Sequence, residues 1–345
     1  MAAPIILCDT AGMTNQEWLD ARMHGPKGNI EYTVGGSDIA AIFGVSPWVT
    51  PLELWMIKKG RMKSKPKSNL NQLEMGHILE PIAAYWYEKK TGNKVFQDTN
   101  LYQHADFPYA LANFDRRFIR VTDGKPGILE CKSTSYHKAS DWADGAIPVY
   151  YEFQLRYYLS VDDKEIGDFS SLWGNNPDTD LATPSLVRDR AKEDIIFEKL
   201  EEWIWSLKND KPPTMSGVAP KLALESLAKI YGSSKPSLPT LEFSKKYELP
   251  LRKIAALQAR IEECKNDIKE YQKEVEAHSV RIAEIMKEHE HAVLETTKDK
   301  LLIDFVTKSS NRTDTSLLKK KYPAVYADCL NTSESRKLKV TVQPI

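Results

Sequence analysis

The chain has 345 residues, with 48 Lys and Arg side chains against 48 Asp and Glu, and 41% of its residues are hydrophobic. This length is enough for one large domain with an appendage or for two domains, and the composition excludes wholesale disorder. Because the formal net charge is zero, binding to nucleic acid would have to use local basic patches rather than the field of the whole protein.

The cysteines and the apolar runs exclude further classes of protein. Cys8, Cys131, Cys264 and Cys329 are scattered without CxxC spacing, which argues against a zinc site and against a disulfide framework. The amino-terminal run lacks the basic start and the apolar length of a signal peptide, and no later run has the length of a membrane span. We therefore expect a cytoplasmic protein without a membrane partner.

Two candidate phosphate-binding features lie near the amino terminus. Thr14 and Glu17 form the capping-box pattern of a short helix that ends at Arg22. The run Gly35-Gly36-Ser37 predicts a tight turn into a helix capped by Ser37, and the free N–H groups of such a helix start suit a phosphate. Helix capping without a ligand is the alternative for Ser37, and an ordinary exposed side chain is the alternative for Arg22.

A basic segment lies at the end of the next predicted helix, which spans Pro51 to Gly60. It contains Pro and Gly but no acid, and it holds six basic residues: Lys58, Lys59, Arg61, Lys63, Lys65 and Lys67. Such a segment is a candidate loop for contact with the phosphate backbone of a nucleic acid. A solvated loop without a ligand is the alternative.

A long buried helix is predicted from Asn71 to Lys90, and Thr91-Gly92 ends it. Glu80 lies inside this pattern, where a glutamate needs a charged partner or a metal ion. Short strands are predicted next, at Lys94 to Phe96 and at Leu101-Tyr102. The apolar positions that define the helix are Leu73, Met75, Ile78, Leu79, Ile82, Ala83, Tyr85 and Trp86.

The segment from Ala112 to Ser133 predicts a β-hairpin that carries acidic residues inside apolar strands. Its turn signal spans Asp123 to Gly127, and the flanking apolar runs suit strands. A register that pairs Val121 with Ile128 follows from this turn. Side chains that alternate from these two residues then share one face of the hairpin.

Three charged residues fall on that one face. They are Asp115, Glu130 and Lys132. Two carboxylates can hold Mg²⁺ or Mn²⁺ through hard oxygen ligands, and a nearby lysine can position or help deprotonate an attacking water. Glu80 would add a third acid. A surface ion pair without catalytic function is the alternative interpretation.

Helices dominate the predictions after the hairpin. Pro148 to Leu159 forms a helix on which Gln154 and Tyr158 share a face, so that Gln154 could hydrogen-bond a water, the lysine or a phosphate oxygen. A strand is expected next, near Phe169 to Trp173, and further helices follow at Arg188 to Leu207 and at Lys221 to Tyr231.

A heptad repeat follows from Ile254 to Ile285, with β-branched residues at every a position. One helix cannot bury this stripe alone, so we expect it to pack against a second copy of the chain, a partner protein or the helix at Lys221 to Tyr231. His278, at a d position, is interpreted as a seam residue rather than a metal ligand. A hairpin around Asp299, a basic helix at Leu317 to Pro323 and a strand at Leu338 to Val342 are predicted beyond it.

Several motifs occur in one order over about two hundred residues, and together they are more specific than any single triplet. This order resembles the PD-(D/E)XK nuclease core and, more narrowly, the YqaJ-like branch of phage recombination exonucleases, relatives of lambda exonuclease. The motifs are Glu17-Trp18-Leu19-Asp20-Ala21-Arg22, Gly35 to Gly44, Gly76 to Pro81, Asp115, Glu130-Cys131-Lys132, Trp142, Gly145, Pro148, Tyr151, Gln154, Tyr158 and Arg188-Asp189.

The resemblance implies a phage- or prophage-encoded, metal-dependent deoxyribonuclease of the bacterial cytoplasm. It implies 5′ to 3′ digestion of linear double-stranded DNA, 3′ single strands passed to an annealing protein, and a homo-oligomer that is ring-shaped in that family. The implied residues are Asp115, Glu130, Glu80 and the Cys131 carbonyl for Mg²⁺ or Mn²⁺, Lys132 and Gln154 for the water and the phosphate, Arg22 and Ser37 for the 5′-phosphate, and Lys58, Lys59 and Arg61 for DNA.

The predicted fold class is α/β: a nuclease core with a central mixed β-sheet flanked by helices, followed by a coiled-coil helix and a small β appendage. The predicted domains are residues 1–213, a linker at 214–245 with a possible short helix, the heptad helix at 246–291 and an α/β appendage at 292–345. Three alternatives stay open: an endonuclease; a Cas4-like nuclease, against which the dispersed cysteines argue; and a non-catalytic DNA-binding scaffold that acts through its coiled coil.

Overall fold

A computed structural model describes residues 3–63, 70–330 and 338–341 and, for residues 70–73, the backbone alone. The chain divides into two compact units, Met1–Gly232 and Ser233–Ile345. The first unit extends past the predicted boundary at 213, because the helix that follows packs on it: the hydroxyls of Ser226 and Thr50 are 2.7 Å apart. No helix in the described ranges is long and apolar enough to cross a membrane.

The described part of the first unit contains seven helices and nine short strands. The helices are α1 (Asn15–His24), α2 (Gly36–Ile42), α3 (Pro51–Lys58), α4 (Leu70–Thr91), α5 (Val149–Asp162), α6 (Arg190–Lys208) and α7 (Pro220–Tyr231). The strands are β1 (Ile5–Asp9), β2 (Lys94–Gln97), β3 (Asn100–Gln103), β4 (Leu111–Ala112), β5 (Arg116–Ile119), β6 (Pro126–Ser133), β7 (Ile166–Leu172), β8 (Leu181–Ala182) and β9 (Ser185–Val187), with a 3₁₀ segment at Tyr136–Gly145. The helices predicted in this part of the chain are confirmed.

The central sheet of the first unit is mixed. Its strands follow the order β2-β5-β6-β7-β8, and β9 also pairs with β7. β5 and β6 are antiparallel, whereas β6 and β7 are parallel, so the chain crosses over through α5 between them. A smaller sheet has the order β1-β3-β4. The predicted α/β class, with a mixed sheet flanked by helices, is confirmed.

The register of the β5–β6 hairpin differs from the predicted one. Arg117 pairs with Ile128, so the prediction that Val121 pairs with Ile128 is wrong by four residues. The turn lies two residues nearer the amino terminus than the Gly and Pro signals indicated, and its closing hydrogen bond runs from the backbone N–H of Arg120 to the carbonyl of Lys125 at 2.9 Å. Since four is an even number, every side chain keeps its predicted face.

Strand β6 is buried on both faces, because a helix covers each side of the sheet. Ile128 lies in the apolar cluster on the α5 side, whereas Leu129 lies in the cluster with Tyr87 of α4. Burying one such aliphatic side chain contributes about 1.5–3 kcal/mol to stability. Glu130 and Lys132 follow Ile128 at steps of two residues and therefore project on the α5 side.

Helix α4 is less buried than its apolar pattern predicted. Only a narrow face that includes Ala83, Ala84 and Tyr87 is buried against the sheet. The prediction of a fully buried helix is wrong for five apolar residues, because the sheet covers one side of the helix only. These exposed residues are Met75, Ile78, Ile82, Tyr85 and Trp86, and the side chain of Leu73 lies outside the described part.

The second unit contains one long helix and several short elements. They are a 3₁₀ turn at Lys245–Tyr247, α8 (Glu248–Met286), β10 (His291–Glu295), β11 (Lys300–Asp304), α9 (Thr315–Lys321) and α10 (Pro323–Asp328). α8 has 39 residues, so it is roughly 58 Å long. The predicted long helix, the hairpin and the basic helix are confirmed, and the heptad stripe of α8 is largely exposed in the described part of the chain.

The predicted carboxyl-terminal strand is wrong for residues 338–341, and Val342 lies outside the described residues. A side chain of α8 takes the place of a neighbouring strand. Gln258 donates to the carbonyl of Leu338 at 2.8 Å and accepts from the backbone N–H of Val340 at 3.0 Å. These two bonds satisfy the backbone groups that a strand partner would otherwise pair.

Candidate active site

Three charged side chains meet where β5 and β6 run side by side. Glu130 is buried, with 2% of its surface exposed, and its Oε1 lies 2.5 Å from Nζ of Lys132. Asp115, just before β5, accepts a hydrogen bond from the backbone N–H of Cys131 at 2.8 Å through Oδ2. The structure thus brings together the two strand acids and the lysine that the sequence placed on one face.

Helix α5 completes this group from above the sheet. Nε2 of Gln154 donates to Oε1 of Glu130 at 2.6 Å and to the hydroxyl of Tyr158 at 3.2 Å. Oε1 of Gln154 accepts from Nζ of Lys132 at 3.4 Å. Because Gln154 and Tyr158 are one helical turn apart, both reach the same point. Gln154 therefore fixes the position of the Lys132–Glu130 pair.

A glycine allows α5 to come this close to α2. A Cβ atom added to Gly36 would lie 2.4 Å from the ring of Tyr158, a distance that no side chain tolerates. The Gly-Gly run predicted as a tight turn is therefore also a packing requirement. The backbone of α2 lies directly against the residue that touches Gln154.

Glu80 approaches the site from α4, which covers the other face of the sheet. It forms an ion pair with Arg116, whose guanidinium also donates to the carbonyl of Asp115 at 2.5 Å. Glu80 is partly exposed, so its predicted place at the buried centre of a helix is wrong, because α4 buries only a narrow face. Burial and the charge of Asp115 raise the pKa of Glu80, which places the three acids in one electrostatic group.

Burial sets the protonation of this group. It raises the pKa of Glu130 to about 8, and the charge of Asp115 adds to the effect. Burial by itself would lower the pKa of Lys132, but the carboxylates of Glu130 and Asp115 outweigh it and raise that pKa. At neutral pH Lys132 is therefore charged, and Glu130 retains a proton that a cation could displace.

The donor set fits a divalent cation. Oε2 of Glu130 is buried without a hydrogen-bond partner in the described part of the chain, and the acids around it are the hard ligands that Mg²⁺ and Mn²⁺ prefer. Within residues 3–63, 70–330 and 338–341, no group of three or more His, Cys, Asp or Glu side chains has the geometry to coordinate a metal ion. Instead, Nζ of Lys132 contacts Glu130, and the guanidinium of Arg116 pairs with Glu80.

Cys131 was predicted to contribute its carbonyl oxygen to the metal. Its thiol lies in the apolar cluster on the α4 side of the sheet, and burial raises the pKa of that thiol well above its ordinary value. A protonated thiol is a poor ligand for Mg²⁺. The carbonyl ligand stays a prediction.

Arg22 lies against the glycine turn. Its guanidinium is 2.9 Å from the point that a Cβ of Gly35 would occupy, and it stacks on Trp18 at 4.4 Å. The hydroxyl of Thr33 donates to the carbonyl of Arg22 at 2.6 Å. This bond holds the end of α1 next to the segment that leads into Gly35. Arg22 has no salt bridge in the described part of the chain.

Ser37 has a different place from the predicted one. The N-cap of α2 is Gly35, whose backbone N–H donates to the carboxylate of Asp38 at 3.0 Å. The prediction that Ser37 caps the helix is wrong, because Asp38 already satisfies the helix start. Ser37 is exposed in the first turn of α2, and its role in phosphate binding stays a prediction.

The first two lysines of the basic segment make internal contacts. Lys58 lies in α3 and forms a buried ion pair with Asp38 at 2.9 Å. Lys59 contacts the hydroxyl of Tyr32 at 3.0 Å and a carbonyl of α6. Both lysines lie in α3 or at its C-cap, within the helix predicted from Pro51 to Gly60 and outside the candidate loop. Arg61 is half exposed and pairs with Asp210 at 2.7 Å; Lys65 and Lys67 lie outside the described residues.

Sequence reasoning missed two neighbours of the site. Arg116 was passed over although it follows Asp115 directly, and alternation along β5 puts its side chain on the α4 side, toward Glu80. Tyr151 was noted only as part of a motif, but its ring lies 4.8 Å from Nζ of Lys132. Its position one turn before Gln154 on α5 was the available signal.

An acid before one strand and a Glu-x-Lys pair on the next, in a mixed α/β sheet crossed by α5, define the PD-(D/E)XK class of protein core. Residues 17–165 match the YqaJ-like viral recombinase domain. The chain is also 31% identical over 327 residues to the protein YqaJ of Bacillus subtilis (strain 168), covering 93% of this chain and 92% of that protein. The chain belongs to the YqaJ-like viral recombinase family.

Solved structures of exonucleases are also similar to this chain. An alkaline exonuclease from Laribacter hongkongensis is 18% identical with a TM-score of 0.46, over 57% of this chain and 94% of that one. Its complex with dAMP gives a TM-score of 0.47 over the same shares. A phage-related exonuclease from Haemophilus somnus 129PT is 12% identical with a TM-score of 0.38, over 51% of this chain and 92% of that one.

Proposed function

We propose that this protein is a metal-dependent deoxyribonuclease that digests linear double-stranded DNA from its 5′ ends and leaves 3′ single strands for phage-type recombination. Membership of a viral recombinase family supports the recombination role. The observation that carries the nuclease is the buried contact of Lys132, Glu130 and Gln154 beside Asp115. A structural ion pair between Lys132 and Glu130 would need neither the nearby carboxylate of Asp115 nor a buried Glu130 oxygen without a hydrogen-bond partner.

Each residue of the site has a separate task in this proposal. Asp115, Glu130 and Glu80, with the Cys131 carbonyl, hold Mg²⁺ or Mn²⁺, which would neutralise the scissile phosphate and activate an attacking water. Lys132 stays charged, because its pKa is raised by the carboxylates, so it stabilises negative charge on the phosphate rather than removing a proton. Gln154 holds Lys132 and Glu130 in register.

Recognition of the DNA end is assigned to Arg22. Its guanidinium is half-buried, stacked on Trp18 and without a salt bridge in the described part of the chain, so its charge is available for a terminal 5′-phosphate. An arginine can bind a phosphate through two parallel N–H bonds. Exposed Ser37, in the adjacent first turn of α2, adds a hydroxyl. Lys58 and Lys59 support this region through internal contacts, and the half-exposed Arg61, which pairs with Asp210, is assigned to the contact with DNA.

The exposed heptad stripe of α8 supports assembly. A stripe of this length left in water is an association site. In the proposed function it joins copies of the chain or captures a single-strand annealing protein.

Linear and covalently closed duplexes of equal length test the proposed function. With Mg²⁺, the wild-type protein should release nucleotides from the linear form and leave the closed circle intact, and EDTA should stop release. Rapid cleavage of the circle would support the endonuclease alternative. Absence of cleavage of either form would contradict the proposal and favour a binding scaffold.

Duplexes with different 5′ ends test the recognition of the 5′-phosphate. Ends that carry a 5′-phosphate should be degraded faster than 5′-hydroxyl ends by the wild-type protein but not by Arg22→Ala. Arg190→Ala, an exposed arginine at the start of α6, is the matched control and should keep the preference. Equal wild-type rates on both ends would contradict the role of Arg22 without affecting the metal site.

A further inference from the structure

The loop between α2 and α3 holds an exposed tryptophan. Trp48 has 57% of its surface exposed, and Val45 and Pro47 beside it are exposed as well. An indole is among the largest apolar side chains and is usually covered. Because an exposed indole contributes little to the stability of the fold, a bound ligand would account for its exposure.

The loop that carries Trp48 is rigid. The buried hydroxyl of Ser46 accepts hydrogen bonds from the backbone N–H groups of Trp48 at 3.2 Å and of Val49 at 3.3 Å. Thr50, fully buried, then caps α3 by accepting from the N–H of Glu53 at 3.1 Å. A ligand of Trp48 would therefore meet a platform that is already in position, with little ordering cost.

Aromatic contacts lead from this platform to the active site. The indole of Trp48 meets the ring of Tyr150 edge to face, with centroids 5.0 Å apart and planes at 77°. It also lies 6.2 Å from the ring of Tyr151, and Tyr151 in turn lies 4.8 Å from Nζ of Lys132. One aromatic ring thus separates the exposed indole from the lysine of the site.

We propose that Trp48 is a stacking platform for an unpaired nucleobase of the DNA strand that enters the active site. This inference rests on the proposed nuclease function. Cleavage of a duplex near its end requires the strand at the site to leave its partner, and its bases then lose their stacking neighbours. An aromatic face replaces that stacking for any base, because every base has a π surface.

The position of Trp48 favours a nucleobase over a protein partner. Exposed tryptophans also occur at protein interfaces, but this one is joined to Lys132 through Tyr151 alone, where the substrate strand must pass. It is also braced by Tyr150, so that the indole is held in one orientation. These contacts distinguish it from Trp205 on α6, which has 56% of its surface exposed and no ring contact in the described part of the chain.

A binding cycle with abasic DNA tests the inference. The full chain carries Glu130→Gln to prevent cleavage, and the probes are fluorescent duplexes with a short 5′ single strand, each lacking one base at the first, second, third or fourth nucleotide. Trp48→Ala should weaken binding of the intact probe by about 5- to 150-fold, the loss expected for one base stack. Removing the stacked base should weaken binding to the same extent, with no further loss in Trp48→Ala.

Two variants control for folding and for surface effects. Trp48→Phe keeps an aromatic face and should recover most of the affinity, whereas Trp205→Ala should leave it unchanged. Independent losses from Trp48→Ala and from every abasic position would overturn the inference. A change of the molecular mass of Trp48→Ala in light scattering, with unchanged DNA affinity, would overturn it in favour of a protein contact.

Failure of this inference is distinguishable from failure of the proposed function. If the wild-type protein cleaves linear duplex but shows no coupling at any abasic position, Trp48 does not stack on a base and the nuclease stands. If it cleaves no DNA but the coupling is present, the stacking site stands and the catalytic function is wrong.

Discussion

Strand β6 buries a charged side chain, whereas helix α8 exposes a row of apolar side chains. On β6 the carboxylate of Glu130 is almost fully buried, with 2% of its surface exposed, whereas Ile261 and Ile268 on α8 are 55% and 54% exposed. A buried carboxylate and an exposed aliphatic stripe are both unfavourable in an isolated chain. Each region therefore requires something beyond its own unit.

The difference between the two regions lies in how the chain compensates. Around Glu130 the fold provides a cation and an amide at hydrogen-bonding distances and a second acid that binds the adjacent backbone N–H of Cys131, so the site is complete except for one carboxylate oxygen. Along α8 the described residues provide almost nothing to cover the stripe. A local charge requires a small ligand, and a long apolar stripe requires another helix.

Loss of the charged group should have the largest effect. Asp115→Ala and Lys132→Ala should each lower Mg²⁺-dependent cleavage by at least about 10³-fold, because they remove a metal ligand and the fixed charge opposite the phosphate. Asp168→Asn is the matched control, since Asp168 is a buried carboxylate on the adjacent strand that binds Tyr87. It should reduce stability and keep cleavage measurable. Undiminished cleavage by Lys132→Ala would contradict the claim that the charged group on β6 binds a catalytic ligand.

Charge placed in the α8 stripe should affect assembly alone. Ile261→Asp with Ile268→Asp should reduce the molecular mass in light scattering or abolish capture of a partner, while cleavage of short duplexes continues. Both isoleucines are already exposed, so the unit itself loses little stability. Asn266→Asp with Val280→Asp puts the same charge on the opposite side of the helix and should change neither. An unchanged mass and partner binding for the first pair would make the stripe an internal packing face.

An added side chain should lower stability where α2 packs against α5 but not on the exposed surface of α8. Gly36→Ala should lower the free energy of unfolding by about 1–3 kcal/mol, because the new Cβ would overlap the ring of Tyr158. Ala277→Leu on exposed α8 should change it by less than about 0.5 kcal/mol. Urea denaturation of each variant measures both values, and equal effects would contradict the close packing of α2 against α5.

The smallest expected effect is on the pH dependence of stability. The folded state holds a proton on Glu130 up to about pH 8, whereas the unfolded chain releases it near pH 4.5. The folded protein therefore binds more protons between these values, so stability falls as the pH rises through this window. Without metal, Tm should fall between pH 5 and 9, and Glu130→Gln should reduce the fall by at least about 3 °C. Equal slopes in both proteins would show that Glu130 is not held protonated.

Side-chain alternation explains why the site could be predicted although the register could not. The predicted register was four residues off, yet Asp115, Glu130 and Lys132 share a face in either register because the period of a strand is two. The position of the turn depends on the hydrogen bond between Arg120 and Lys125, which turn signals do not reveal. Glu80 and Arg116 meet through tertiary packing of α4 on the sheet, and no local pattern in the sequence reports it.

Burial was less predictable than secondary structure. The apolar pattern of α4 predicts a helix correctly, but Ile78 and Ile82 are exposed because a sheet covers only one side of that helix. Lys58 belongs to a charge run in the sequence and to a buried ion pair with Asp38 in the fold. The sequence shows the chemistry of a side chain, whereas its neighbours come from elements that are distant along the chain.

The central claim is that the buried group on β6 is a hydrolytic metal site. Its most direct test is the rate of nucleotide release from a linear, 5′-phosphorylated duplex by wild-type protein and by Glu130→Gln, with Mg²⁺ and with EDTA. Glutamine keeps the shape and removes the charge, so circular dichroism should show both proteins folded. We predict release by the wild-type protein in Mg²⁺ only, and release at least about 10³-fold slower by Glu130→Gln. Equal release by the two proteins, or release that persists in EDTA, would contradict the claim.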